Sequence, residues 1–192
     1  MGRPGRRPDL DLRPEFIIKT VVKTMTDTVL PAGDPANTLA QEQTQLAIAM
    51  LDIVLQRLPL MYRYDRDELA RNLALAALLR EQAARLPGTA EAVGALGAST
   101  ETGEDVMERS RAEPSELEAA NFDLRARIGE LITVIYAHTA IEDFAHISAT
   151  VTSHAREQLL RDRAYLISQG WEPDPKAMPA LETLIGNGPS GR

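Results

Sequence analysis

The sequence predicts an all-α protein: an antiparallel helical bundle with one long or kinked C-terminal helix, a flexible N-terminal arm and a central loop. Three observations predict it. Hydrophobic residues make up 44% of the 192 and charged residues 26%, which are globular values, whereas aromatics are only 4% and alanine and leucine abound. Apolar residues recur at helical spacing in stretches separated by Pro and Gly. From Pro114 to Gly170 no proline and a single glycine, Gly129, interrupt the chain.

The arm at 1–14 carries Arg3, Arg6, Arg7 and Arg13 among Pro and Gly and reads as a disordered basic tail. The rest, 15–170, reads as one helical domain followed by a tail at 171–192. EFIIKTVVKTMTDTVL places Ile17, Ile18, Val21, Val22, Met25 and Val29 on one side of a first helix, about Glu15 to Leu30, that stops before Pro31. In the second helix Asp34 caps with Pro35 at the first position, or Thr38 caps in a box with Gln41; Leu39, Leu46, Met50, Ile53 and Val54 form its expected buried stripe, and Leu58–Pro59 ends it. Asp65 and Glu68 match a capping box for a third helix running through Leu69, Leu73, Ala76, Leu79 and Ala83 to about Leu86.

The stretch 87–113 is rich in Gly, Ala, Ser, Thr and acids without a sustained apolar period, and it reads as a flexible connection with room for a short helix. A capping box at Ser115 and Glu118 then opens about 55 residues of helix. At ~1.5 Å per residue one straight element would reach about 80 Å, more than a small domain spans, so the run breaks, kinks or projects to pair with another chain. One further short helix is expected near Ala180 to Ile185, with Trp171 packing the tail.

The net charge of −7 argues against a nucleic-acid or anionic-membrane surface. The absence of cysteine removes disulfides, thiolate metal sites and cysteine nucleophiles, and with no signal-peptide pattern or ~20-residue apolar run the expectation is a soluble cytoplasmic protein. P-loop, dinucleotide, nucleophile-elbow and H-E-x-x-H patterns do not occur. An enzyme is therefore not the favoured reading.

The suggestive chemistry lies in YAHTAIEDFAHISATVTSH, Tyr136 to His154, which holds all three histidines. Continued from the stripe Leu117, Leu124, Ile128, Leu131, Ile132 and Ile135, the same face carries His138, Thr139, Glu142, Asp143, His146, Thr150 and Ser153. Burying such groups requires hydrogen bonds, pairing or a cation. His138 and His146 lie about 12 Å apart along a helix, too far for one ion to take both. His138 with Glu142, Glu142 with His146, or Asp143 with His146 could share one.

Asp143-Phe-Ala-His146 looks like one shortened copy of the Glu-x-x-His pair used in ferritin-like carboxylate bundles, with Glu42 as a further carboxylate and iron, manganese or zinc as the metal. No second Asp/Glu-x-x-His occurs. The competing reading starts from Ile141, Phe144, Ile147 and Val151, an apolar set on nearly the opposite side. Thr139 to Glu142 is itself a capping box, so a helix ends near His138, a new one begins, and the buried face changes or binds another subunit. His154 falls on a different side, toward the surface or a subunit contact.

MYRYDRDE offers Tyr62, Arg63, Tyr64, Asp65 and Arg66 either as the lining of a small polar pocket or as a loop whose tyrosines cover the bundle end. The leading expectation is a non-enzymatic association protein, a homodimer formed through the long C-terminal helices. The metal-binding bundle and a small-molecule sensor or metal-independent enzyme with an interhelical pocket are the alternatives.

Overall fold

The computed structural model describes residues 13–109, 112–138, 141–170 and 172–185, excluding the side chains of 138, 141–143 and 169. The basic arm before Arg13, Trp171 and the capping residue Thr139 lie outside the described residues. The fold is all-α, with no strand among the described residues. Where the sequence reading draws one domain over 15–170, the chain's contacts gather into two units, Met1–Pro59 and Leu60–Arg192.

In the first unit α1 (Pro14–Thr24) opens with a proline at its first position, where no amide hydrogen is needed. Pro31 does not stop this helix. It lacks the N–H that would meet the carbonyl of Asp27, and the preceding turn widens into a π segment, Met25–Val29, in which Leu30 N–H reaches Met25 C=O; one more turn, α2 (Leu30–Ala32), follows. The chain doubles back through 33–37 so that α3 (Thr38–Arg57) packs on α1. Neither expected cap operates. Asn37 is the N-cap, its Oδ1 accepting from Ala40 N–H at 3.1 Å, while Asp34 Oδ1 accepts from Ala36 N–H at 2.9 Å to form the turn before it.

In the second unit α4 (Met61–Ala83), α5 (Ala90–Glu108) and α6 (Pro114–His138) pack on one another around a single apolar core. The α4 helix starts at Met61, so Asp65 and Glu68 sit inside it and cap nothing. The flexible connection expected over 87–113 is corrected by α5, a 19-residue helix. Its inward face is built from Leu96, Gly97, Ser99, Thr100, Gly103 and Val106, which have helical spacing but little apolar bulk. At Gly103 a Cβ would lie 3.0 Å from Leu73 and 3.2 Å from Leu124, so the absent side chain is what lets α5 approach its neighbours. Buried Thr89 fastens the α4–α5 connection, its Oγ1 lying 2.8 Å from the carbonyls of both Ala83 and Leu86, which share its one proton.

The α6 helix begins with proline, and Glu116 reaches back to accept the Glu113 N–H at 2.8 Å; Glu116 thus fills the place expected of Glu118. Leu117, Leu124, Ile128, Leu131 and Ile135 are buried, as their spacing requires. The 55-residue run comprises two helices of 25 residues each, α6 ending at His138 and α7 spanning Ile141–Tyr165. On α7 it is the second apolar set that meets the core: Ile147 is buried, and Phe144 and Val151 pack against the same cluster. A short α8 (Leu181–Leu184) falls where the sequence places one. Its Leu181, with Ile185 beyond it, joins Leu60 and Ala164 in a second small cluster.

Candidate functional site

Two surfaces and one polar cluster compete for a functional role. The first surface belongs to α1 and α3. Among the described residues of the N-terminal unit every large apolar side chain retains some exposure, and only Arg57 is buried. Of the five residues expected to form the buried face of α3, Ile53 is partly covered and the other four are exposed: Leu39 65%, Leu46 49%, Met50 48% and Val54 45%. At 100° per residue these four fall within an arc of about 80°. Thr44, Ile48, Leu51 and Leu55, which are partly covered, lie on a different side, whereas partly covered Ile53 borders the exposed stripe. Two apolar sides on one helix explain the error, since periodicity alone does not say which side the neighbouring helix takes. Phe16, Ile17 and Val21 of α1 are also exposed.

The second surface is the histidine segment. The side chains of His138, Glu142 and Asp143 lie outside the described residues. His146 is exposed on α7, and its Nε2 lies 3.2 Å from the amide nitrogen of Gln82 on α4, which also donates to Thr150 Oγ1 at 3.2 Å. Glu42 is exposed and belongs to the other unit. No group of three or more His, Asp or Glu side chains able to hold an ion occurs among the described residues. Among the described residues His146 meets Gln82, in the polar seam that ties α7 to α4.

The polar cluster lies where α4, α6 and α7 meet. Starting α4 at Met61 puts Tyr64 and Glu68 one turn apart and Asn72 one turn further, in phase with buried Leu69, Leu75 and Ala76. Tyr64 stacks obliquely on Tyr165, with ring centroids 4.9 Å apart, and its hydroxyl donates to Asp162. Gln158 Nε2 donates to Asp162 Oδ1 at 2.8 Å and to Tyr64 Oη at 3.0 Å. Asn72 donates to Asn121 Oδ1 at 2.9 Å, and Asn121 passes the chain on to the carbonyl of Asp65, also at 2.9 Å. Asp67 receives Arg71 from its own helix at 2.9 Å and Arg161 from α7 at 3.1 Å. Glu68, buried on α4, pairs with the more exposed Arg125 of α6 at 3.0 Å.

These surroundings move the ionisable groups. Burial raises Glu68 above the ordinary carboxyl range, opposed by Arg125 and Arg71. Asp65 rises through burial and then the charge of Glu118. Tyr64 is held firmly protonated by burial and by its bond to Asp162. His154, half-buried on α7, is lowered by burial and by Arg71.

Beside this cluster runs a cleft of about 410 Å³. Leu75, Ile128, Val151, Ala155 and Leu159 line it together with Glu68, Asn72, Arg125, His154, Gln158 and Asp162. Of the MYRYDRDE residues suggested for a pocket, Tyr64 and Asp65 contribute to the cluster behind this cleft. Arg63 and Arg66 instead turn to the carbonyls of Ile185 and Met107, and Tyr62 is exposed. The residues missed from sequence, Asn72, Asn121, Arg125, Gln158 and Asp162, come from three helices. One signal was available: Glu68 and Asn72 interrupt an otherwise apolar stripe, the same anomaly that draws attention to the histidines. Comparisons with known proteins add nothing to this geometry, since no protein-family model, curated protein or solved structure matches the chain.

Proposed function

We propose that the protein is a non-enzymatic, self-associating helical protein whose partner surface is the apolar stripe of α3 together with the exposed apolar residues of α1. The observation that carries the reading is the exposure of Leu39, Leu46, Met50 and Val54 along one arc of a helix that has only Glu42, Asp52 and Arg57 as charges. Half-exposed side chains of this size leave on the order of 400 Å² of apolar surface on α3 alone, and monomeric proteins rarely show patches beyond a few hundred Å². With Phe16, Ile17 and Val21 the area reaches roughly 600 Å², about three quarters of the roughly 800 Å² that each partner gives to a stable interface. A second copy is the occupant that supplies an equally long apolar helix face by symmetry, and two such helix pairs make a four-helix arrangement with the stripes inside. This reading places the partner surface on the N-terminal helices rather than on the long C-terminal ones, where Leu117 to Ile135 of α6 and Phe144, Ile147 and Val151 of α7 pack into the core of the C-terminal unit. No single helix among the described residues is long and apolar enough to cross a membrane.

Sedimentation equilibrium of the full chain at micromolar concentrations tests the proposal. The expected result is a monomer–dimer equilibrium that Met50→Glu or Leu46→Glu weakens at least ~10-fold, about 1.4 kcal/mol. A monomer at every concentration, or a dimer unaffected by either substitution, would overturn it.

A further inference from the structure

The cleft lined by α4, α6 and α7 belongs wholly to the C-terminal unit, and one hydrogen-bond chain that reaches it has a fixed polarity. The carbonyl of Asp65 can only accept, so Asn121 turns its Nδ2 toward it, at 2.9 Å. Asn121 therefore presents Oδ1 to Asn72, which donates from Nδ2, also at 2.9 Å. That leaves Asn72 Oδ1 as an acceptor. Asn72 is only 2% exposed and lines the cleft, and its Oδ1 has no hydrogen bond among the described residues. Gln158 Oε1 is closed off from solvent without a partner, whereas Asn72 Oδ1 is not closed off.

The ionic groups around the cleft are balanced. Glu68 pairs with Arg125 at 3.0 Å, and Asp67 with Arg71 and Arg161 at 2.9 and 3.1 Å, while Asp162 accepts from Tyr64 and Gln158. Three carboxylates thus stand against three guanidinium groups. The nitrogens of Arg71 that lack a partner are closed off from solvent and reach no ligand. His154 adds no charge at neutral pH, because burial and then Arg71 disfavour its protonation. An ammonium or carboxylate entering the cleft would lose hydration without a counter-charge to replace it. Leu75, three residues beyond Asn72 on α4, lines the same space with Ile128 and Val151, and exposed Ala155 leaves room beside them. At about 410 Å³ the cleft has the size of a small-molecule site.

We propose that this cleft binds a small neutral hydroxyl compound, a phenol or alcohol, its O–H donating to Asn72 Oδ1 and its hydrocarbon body lying along Leu75, Ile128 and Val151. A buried acceptor with no protein donor selects a ligand that brings one, and an ether of the same size leaves it unsatisfied. The balance of charges selects a neutral molecule over either ion.

A titration of the isotope-labelled full chain followed by nuclear magnetic resonance tests this with four probes of similar size: para-ethylphenol, its isomer para-methylanisole, para-methylbenzoate and para-methylbenzylammonium. The phenol is expected to shift the side-chain amide signals of Asn72 and the methyl signals of Val151 saturably, and to bind at least ~10-fold more tightly than the other three. Ala155→Leu, at an exposed position on the wall of the cleft, should fill the space and abolish binding while the circular dichroism stays that of the wild type. His154→Leu, with Asn72 intact, should keep the preference for the phenol over its isomer. Equal or tighter binding of the ether or of either ion, absence of saturable shifts with any probe, undiminished binding in Ala155→Leu, or loss of the preference in His154→Leu would each overturn the assignment.

Discussion

His154 is held by α7 against the polar face of α4, with Arg71, Glu157 and Arg161 around it, and burial together with Arg71 disfavours its protonated form. A histidine whose folded value lies below its ordinary 6.5 leaves stability intact above that value and removes it as pH falls toward the folded value, because the unfolded chain takes up the proton first. Urea midpoints of the wild type and His154→Gln should therefore draw apart with pH, the wild type losing ground to the variant between pH 7.5 and 5.5. A constant difference would remove His154 from the account. The Glu68–Arg125 pair makes an opposite prediction at the two partners. Arg125→Met leaves a buried carboxylate unpaired and should cost about 1–3 kcal/mol at pH 7. That loss should fade as pH falls through the raised folded value toward the ordinary 4.5, where the carboxyl takes up a proton. Glu68→Gln leaves Arg125 at the surface, free to hydrate, and should change stability by less than ~1 kcal/mol.

The α5 helix is the element that most separates sequence reading from structure, and glycine substitutions test its packing directly. Gly94 is exposed with open space around it, so Gly94→Ala should stabilise by about 1 kcal/mol through helix propensity. Gly103→Ala gains the same propensity but drives a Cβ against Leu73 and Leu124, and Leu124 is fully buried and unable to yield. Overpacking of about 1–3 kcal/mol should cancel or reverse the gain. Thermal melts of the two variants should move apart, and equal stabilisation would mean that α5 does not pack as described. Helices whose inward faces are large aliphatics, α4 and α6, were legible from periodicity, as was the change of buried face along the long run. The α5 helix was not, because small residues approach closely without raising the apolar signal that periodicity measures. Capping groups were missed for a related reason: Asn37 and Glu116 compete with Thr38 and Glu118 over one or two positions, and only the path of the incoming chain decides between them.

At the scale of the whole molecule the two units contrast. The C-terminal unit encloses fully buried leucines at positions 69, 79, 96, 117, 124 and 131. Among its described residues the N-terminal unit buries no apolar side chain completely, and four residues of its most regular stripe are exposed. The stripe itself was readable in the sequence, but its exposure was not, because amphipathicity identifies an apolar face without naming what covers it. The polar cluster was readable only at Glu68 and Asn72, since its other members converge from distant helices. The absence of cysteine allows the central claim, that copies of this chain meet along α3, to be tested with single introduced thiols. A symmetric interface brings residues near its axis against their own copies, and a disulfide forms only when Cα atoms approach within about 7 Å. Mild oxidation of Leu46→Cys, Met50→Cys and Val54→Cys, beside Glu104→Cys on the exposed side of α5, is the most direct measurement. Rapid covalent dimer at one or more of the α3 positions and none at Glu104 is the predicted result; no dimer at any α3 position, or equal dimer at Glu104, would contradict it.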